Sequence, residues 1–238
     1  MKLSNQLVLA LFAFLLSASQ AAALPGRAEV VKVTGNATTT DAKGNKKSIA
    51  AGMALGTGDS ITTGAGSTVD LNLGINGDYL RVDPDTTLKI DALDIANVAQ
   101  RTVTTQLNVN RGAITGNVVN KLSLASKYEI KSASGVAGIR GTKYSVKVAN
   151  GRITRLVVTS GVVSFTQGGV TITIDATNGP KAYSPPATGP ADQSAVGNPT
   201  PEETSAVNSA AASIGTSGTS EAGGVTVSVN PLNVSVSQ

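Results

Sequence analysis

The chain has 238 residues and contains no cysteine, no histidine and no tryptophan. These absences exclude a disulfide framework, a Ser-His-Asp triad and an ordinary histidine-ligated zinc or copper site. The net charge of +4 comes from 19 basic and 15 acidic residues spread along the chain. The densest basic cluster, Lys43, Lys46 and Lys47, is interrupted by glycine and asparagine and predicts a solvated turn. We therefore expect no nucleic-acid partner.

Residues 1–23 have the pattern of a secretory signal peptide. Lys2 precedes an apolar run at residues 7–16, and the alanines at positions 21–23 are small enough for cleavage. The apolar run has about ten residues, whereas a membrane-spanning helix needs about twenty. An uncleaved N-terminal anchor is the alternative. We expect a mature protein without a transmembrane segment, located in the periplasm or secreted to the surface of a bacterial cell.

Residues 24–175 consist of short alternating segments separated by Gly, Asn and Asp, which predicts an all-β domain. Residues 68–73 alternate strictly between polar and apolar side chains, as a strand with one buried face does. Asn76-Gly77 predicts a hairpin turn to a partner strand at residues 79–82. Other strands are predicted at residues 29–34, 87–90, 104–109, 113–119, 128–131, 142–148, 156–159, 162–166 and 170–174.

Two pairs of predicted strands are each separated by a dipeptide that ends in glycine, Arg111-Gly112 in one and Ser160-Gly161 in the other. We expect a hairpin turn at both. Residues 107–116 and 156–166 share this pattern, which we interpret as two hairpins in similar environments rather than a repeat. Residues 91–99 come nearest to a helical pattern and predict a short helical turn. The predicted fold is an antiparallel β-sandwich or β-roll with short hairpins.

Residues 176–238 form a low-complexity tail rich in Ala, Ser, Gly, Thr and Pro. Such a composition buries too little apolar surface to offset the entropy of ordering, so we expect a flexible segment. Within the tail, residues 205–214 favour a transient helix and residues 225–236 a terminal hairpin. The alternatives for the terminal segment are disorder and a strand that adds to the sheet of a partner.

The most specific patterns are SASGVAGIRGTKYSV at residues 132–146 and GDSITTGAGSTVDLNL at residues 58–73. They resemble the TPxGVAxxRGTxFxV and GDxIxTGxxSxVxLxL segments of the FecR domain family. Shorter matches begin at Gly26 and lie around Leu107 and Gly112, so the resemblance extends from Gly26 to about Phe165. The chain departs from the family at residues 132–134, where a Thr-Pro pair is common.

The resemblance implies an envelope domain, because the family is best known from iron-transport signalling. There a membrane-anchored regulator receives a signal from an outer-membrane receptor and controls a sigma factor. In this chain we expect a signal peptide in place of the cytoplasmic region and the transmembrane helix. We therefore expect an exported module that binds an envelope protein or a cell-surface polymer, with a role in envelope signalling. A secreted structural surface or matrix protein is the alternative.

The resemblance also singles out six candidate binding residues, although each has a structural explanation. Glycines supply backbone conformations that a β-carbon would penalise, and Asp and Thr side chains bond the amides of turns. For the arginine we expect bonds to backbone carbonyls or to a buried carboxylate such as Asp59 or Asp83, and a loss of stability on truncation to alanine. The six residues are Asp59, Thr63, Gly138, Arg140, Gly141 and Thr142.

Catalysis is not expected. The carboxylate pairs Asp83–Asp85 and Asp91–Asp94 are the remaining candidates for a hydrolase, but they lie in turn-like sequence without aromatic side chains to hold a sugar. A calcium site at Asp78, Asp83 and Asp85 is the alternative, because oxygen ligands suffice for calcium. Its spacing matches no EF-hand loop, and we expect no bound metal and no cofactor.

Overall fold

A computed structural model of the chain describes residues 23–120 and 122–216. The predicted all-β class is confirmed, because these residues contain sixteen strands and one α-helix. No helix among them is long and apolar enough to cross a membrane. The predicted signal peptide and terminal hairpin lie outside the described residues, apart from Ala23.

The strands are β1 (Leu24–Pro25), β2 (Ala28–Thr34), β3 (Ala37–Thr40), β4 (Lys46–Ser48), β5 (Ala54–Leu55), β6 (Ser60–Thr63), β7 (Thr68–Gly74), β8 (Asp78–Val82), β9 (Thr87–Asn97), β10 (Thr102–Asn117), β11 (Lys127–Lys131), β12 (Val136–Ala149), β13 (Arg152–Gln167), β14 (Val170–Asp175), β15 (Lys181–Tyr183) and β16 (Val196–Gly197). The α-helix, α1, spans Pro201–Thr216, and a short 3-10 helix spans Gln193–Ala195.

The strands form one hydrogen-bonded network that folds into two facing layers. Layer I has the order β4-β3-β6-β9-β10-β11-β12-β13-β14, with β1 on the edge of β9. Layer II has the order β5-β2-β7-β8-β10-β12-β13-β15-β16. Neighbouring strands are antiparallel except β10 and β11, which run parallel.

Three long strands, β10, β12 and β13, belong to both layers because each bends in the middle. The first half of β10 pairs with β9 and β11, and its second half pairs with β8 and β12. Bends in β12 and β13 likewise separate the residues that pair in each layer. The bends contain Gly112, Gly141 and Gly161, whose φ angles are 94°, 58° and 81°. The pairing register shifts at the bends of β10 and β12, as it does at a β-bulge.

The hairpins predicted at Gly112 and Gly161 are therefore wrong, because each glycine bends one continuous strand. A type I′ hairpin turn needs two consecutive residues with positive φ, and neither neighbour of Gly112 or Gly161 has one. Asn150 and Gly151 supply both residues, with φ of 52° and 72°, and they do reverse the chain between β12 and β13. A β-carbon at Gly161 would overlap the carbonyl oxygen of Gly141, so β12 and β13 bend side by side only with glycine there.

The helical turn predicted at residues 91–99 is also wrong. Residues 91–97 continue β9, which pairs with β10 along its length and with β1 near its end. Pairing on both edges outweighs a weak local preference, as is common for strands.

A single hydrophobic core lies between the layers, and aromatic side chains cross it. The hydroxyl oxygens of Tyr128 in layer I and Tyr144 in layer II are 2.9 Å apart. The rings of Phe165 in layer I and Tyr183 in layer II have centroids 5.6 Å apart. These four side chains are buried and serve packing, whereas Tyr79 of β8, the fifth aromatic residue among those described, is partly exposed.

The prediction of a flexible tail from residue 176 is wrong for residues 176–216, which contain two strands and the helix. Strands β15 and β16 extend layer II, and α1 lies across the outer face of that layer. Val207, Ala211 and Ile214 of α1 are buried. The composition of this segment suggested too little buried apolar surface for an ordered structure. The segment is ordered because its small residues let a helix lie close to a sheet that supplies the opposing surface. The helical tendency predicted for residues 205–214 is confirmed by α1.

Two sets of hydrogen bonds hold the start of α1. The hydroxyl of Thr200 accepts from the Glu203 amide at 3.2 Å, and the Glu203 carboxylate accepts from the Thr200 amide at 2.9 Å. This is a capping box, and Pro201 occupies the first helical position, where its missing amide costs nothing. Arg155 of β13 donates two hydrogen bonds to the Glu203 carboxylate, at 2.8 and 2.7 Å. The helix is thus both capped and tied to the sheet.

Replacing Ile214 by alanine tests whether α1 packs on layer II in solution. The Ile214 side chain is fully buried, so we expect Ile214→Ala to lower the free energy of unfolding by about 2 kcal/mol or more in urea titrations. The exposed Ser209 of the same helix supplies the control, and Ser209→Ala should change stability by less than about 0.5 kcal/mol. Identical unfolding curves for the two variants would contradict the packed helix.

Candidate functional site

The six candidate residues lie in two separate places. Asp59 directly precedes β6 and Thr63 ends it, whereas Gly138, Arg140, Gly141 and Thr142 belong to β12. In layer I, three strands stand between β6 and β12. At about 4.8 Å per strand spacing, the two groups are about 19 Å apart. They do not form one site.

Asp59 and Thr63 bond the backbone of loops. The Asp59 carboxylate accepts from the Gly56 amide at 2.8 Å. The Thr63 hydroxyl donates to the carbonyl of Asp83 at 2.6 Å and accepts from the amide of Thr86 at 3.0 Å. These bonds join the end of β6 to the loop between β8 and β9. They agree with the structural explanation of both residues.

Arg140 contradicts the expectation that it bonds carbonyls or a buried carboxylate. Its side chain is exposed, and among the described residues it has no hydrogen-bond or ion-pair partner. The reason is the alternation of β12, in which Ala137 and Ile139 point into the core before the bend and Arg140 points outward. After the bend Thr142 is buried, and its hydroxyl oxygen has no partner among the described residues.

Arg140 lies beside an open groove on the outer face of layer I, which we call the Arg140 groove. Its volume is about 340 Å³. Gly138 lies at its floor, where an added β-carbon would come within 2.5 Å of the Ser164 hydroxyl oxygen. Strands β11 and β13 and the loop before β11 supply the walls. The wall residues include Leu122, Ser126, Lys127, Glu129, Val162 and Ser164.

The charges around the groove leave Arg140 uncompensated. The Glu129 carboxylate is engaged by the ammonium groups of Lys127 and Lys131, at 3.1 and 3.8 Å, and by the Gln106 amide at 3.2 Å. Lys127 is half-exposed and Arg140 is exposed. The groove is therefore positive on the side of Arg140. It can accept a carboxylate, because the guanidinium presents several unused donors.

Truncating Arg140 should leave the fold intact. Because its side chain has no described partner, we expect Arg140→Ala to change the free energy of unfolding by less than about 0.5 kcal/mol, the usual range for surface substitutions. Urea titration of the variant beside the unaltered chain measures this difference. A loss of about 2 kcal/mol would restore the structural role that the sequence predicted.

The outer face of layer II carries a second set of polar residues. Arg81 donates two hydrogen bonds to the Asp70 carboxylate, at 2.6 and 2.8 Å. Asp70 is buried. Thr115 of β10 donates a hydrogen bond to the carboxylate of Asp83, which directly follows β8, at 3.1 Å. Burial raises the pKa of Asp83 to about 6, and the bond from Thr115 opposes part of that rise.

The raised pKa of Asp83 predicts a pH-dependent stability. Its folded-state pKa of about 6 exceeds the usual 3.8, so the folded state binds this proton more tightly than the unfolded state. Stability should therefore fall as the pH rises from about 4 to about 6 and then level off, by about 1 to 3 kcal/mol in all. In urea titrations at several pH values, the free energy of unfolding of Asp83→Asn should no longer change in this way between pH 4 and pH 6. Asp85→Asn, at an exposed neighbour, should retain this change, and parallel profiles for the two variants would contradict the assignment.

The acidic residues suggested as a calcium site are not brought together. Asp78 and Asp83 stand at opposite ends of β8, about 17 Å apart at the usual rise of a strand. The Asp78 carboxylate is bonded by the amide and side chain of Asn120, both at 2.8 Å. No group of three or more acidic residues that could hold a metal occurs in residues 23–120 and 122–216. Asp91 forms an ion pair with Lys89 at 3.6 Å.

Comparison with protein families adds an independent finding. The family model described as FecR protein matches residues 59–164. This part of the chain is a FecR domain. The domain runs from the residue before β6 into β13 and includes every residue that lines the Arg140 groove. The predicted resemblance is confirmed over this span, whereas its extension to Gly26 stays a prediction.

Two solved structures resemble the chain more distantly. Both are of a "putative anti-sigma factor" from Parabacteroides distasonis, with TM-scores of 0.43 and 0.45 and 11% sequence identity. Each alignment covers 62% of this chain and 63% or 62% of the solved chain, which is less than two thirds of its length. The assignment of the FecR domain therefore depends on the family model. No curated protein matches the chain.

Sequence reasoning missed the residues that surround Arg140. Lys127 and Glu129 lie outside the FecR motifs, and Ser164 lies within the predicted strand at residues 162–166. Their outward direction follows from alternation with the buried Tyr128, Ile130 and Val163. That signal was present, but it does not say that β11, β12 and β13 are neighbours, which only the strand pairing shows.

Proposed function

We propose that this chain is an exported, non-catalytic binding module of the bacterial cell envelope that engages a protein partner through its FecR domain. The module acts in the periplasm or at the cell surface and takes part in envelope signalling. The predicted signal peptide supports export. The FecR family is not known to be catalytic, which supports a binding role.

The exposed position of Arg140 supports the proposal most directly. The most specific FecR motif of the chain places Arg140 on the surface, exposed and without a described partner, while the adjacent Gly141 and Thr142 form the bend of β12. A charged side chain that contributes nothing visible to the fold, next to an open groove, is the arrangement of a recognition surface. Arg is also among the residues enriched in protein interfaces.

Crosslinking capture from an envelope extract tests the proposal. The bait is the processed chain, and a second bait ends at Thr216 so that every described strand and helix is kept. We expect both baits to recover the same defined protein in similar yield, because the binding surface lies in the FecR domain. Mass spectrometry of the exported chain should show an N-terminus near Leu24.

Other outcomes would favour the structural alternative or contradict the proposal. Recovery of only envelope polymer or further copies of this chain, lost when the chain ends at Thr216, would favour a secreted surface or matrix protein. An unprocessed chain found in the cytoplasm would contradict export. A chain that carries out chemistry on envelope material would contradict the non-catalytic role.

A further inference from the structure

We propose that the Arg140 groove binds an acidic segment of a protein partner, in which a carboxylate pairs with Arg140 and an adjacent apolar side chain contacts Leu122 and Val162. The inference rests on the proposed function and names the site and the chemistry of its partner. A protein segment is favoured over an anionic polymer for reasons of charge, surface and shape.

Charge gives the first reason. Glu129, the acidic residue of the groove wall, is already held by Lys127, Lys131 and Gln106, so it does not neutralise Arg140. Arg140 can offer two parallel N–H groups to one carboxylate, a geometry that binds more strongly than a single neutral hydrogen bond. An acidic ligand therefore neutralises the positive charge of Arg140, whereas a basic ligand would be repelled by Lys127 and Arg140.

Surface chemistry gives the second reason. Leu122 and Val162 line the groove beside the polar groups, and both are partly exposed, although Leu122 also packs against the core. Leu124, in the loop that holds Leu122, is 83% exposed. A ligand that carries only charge leaves this apolar surface in water, whereas a peptide can place one apolar side chain there. The groove lining contains one tyrosine, Tyr128, and that side chain is buried in the core. Without a surface aromatic ring, stacking against the sugars of a polymer has no platform.

Shape gives the third reason. The floor of the groove stays open because residue 138 is glycine, and its φ angle is not positive, so backbone conformation does not demand glycine there. A β-carbon at this position would displace only the end of the Ser164 side chain. Gly138→Ala is therefore compatible with folding and fills the floor. This gives a variant that alters shape without altering charge.

The test uses the full processed chain and a short Gly/Ser peptide that carries a central Glu-Leu-Glu triplet. Amide chemical shifts of the labelled chain are followed by NMR during the titration. We expect shifts at residues 127–129, 138–140 and 162–164, and affinity about tenfold weaker for the matched Gln-Leu-Gln peptide. Arg140→Glu and Gly138→Ala should each weaken binding about tenfold or more, and Arg140→Lys less than Arg140→Glu.

The matched control is Lys32→Glu, an exposed cation on β2 of layer II that reverses one charge far from the groove. It should bind the peptide as the unaltered chain does. Melting curves of every variant confirm that it is folded. No binding of the Glu-Leu-Glu peptide, binding unaffected by Arg140→Glu, or shifts outside the groove would each overturn the inference. If polyphosphate shifts the same amide signals and binds as strongly as the peptide, the partner of the groove is an anionic polymer rather than a protein segment.

Capture from envelope extract separates this inference from the proposed function. If Arg140→Glu recovers the defined partner as well as the unaltered chain does, the binding module stands and the groove is not its site. If the unaltered chain captures no protein, the proposed function fails whatever the peptide titration shows. If the partner is lost with Arg140→Glu and kept with Lys32→Glu, both stand.

Discussion

The bends of β10, β12 and β13 are the constraint on which the structure depends. A strand that changes layer must turn its backbone sharply without reversing, and glycine with positive φ permits this at Gly112, Gly141 and Gly161. Because the three strands are shared, the two layers cannot separate or slide independently. The core aromatics, such as the Tyr128–Tyr144 pair, meet only because the bends bring the layers face to face.

The bend in β12 also decides which motif residues reach the surface. Before Gly141 the strand turns Gly138 and Arg140 outward, and after it Thr142 is buried. One short FecR motif thus combines a structural device with an exposed charge. A family pattern alone does not separate these roles, because both are recorded as residues at fixed spacing.

The two outer faces of the domain differ in what covers them. On layer II, α1 packs against β8, β10, β12 and β13. The buried polar residues of that layer bond one another, Asp70 to Arg81 and Thr115 to Asp83. On layer I, the face around Gly138 and Arg140 remains open.

The sequence by itself determined the all-β class, the strand at residues 68–73 and the turn at Asn76-Gly77, because alternation and turn residues act locally. The helix predicted at residues 205–214 was right in type but began too late, because the Thr200–Glu203 capping box that starts α1 was not predicted. Only the tertiary structure decided that Gly112 and Gly161 bend a strand, that residues 181–216 pack on layer II and that Arg140 faces solvent. These outcomes depend on strand register and on surfaces supplied by residues far along the chain, which no local pattern contains.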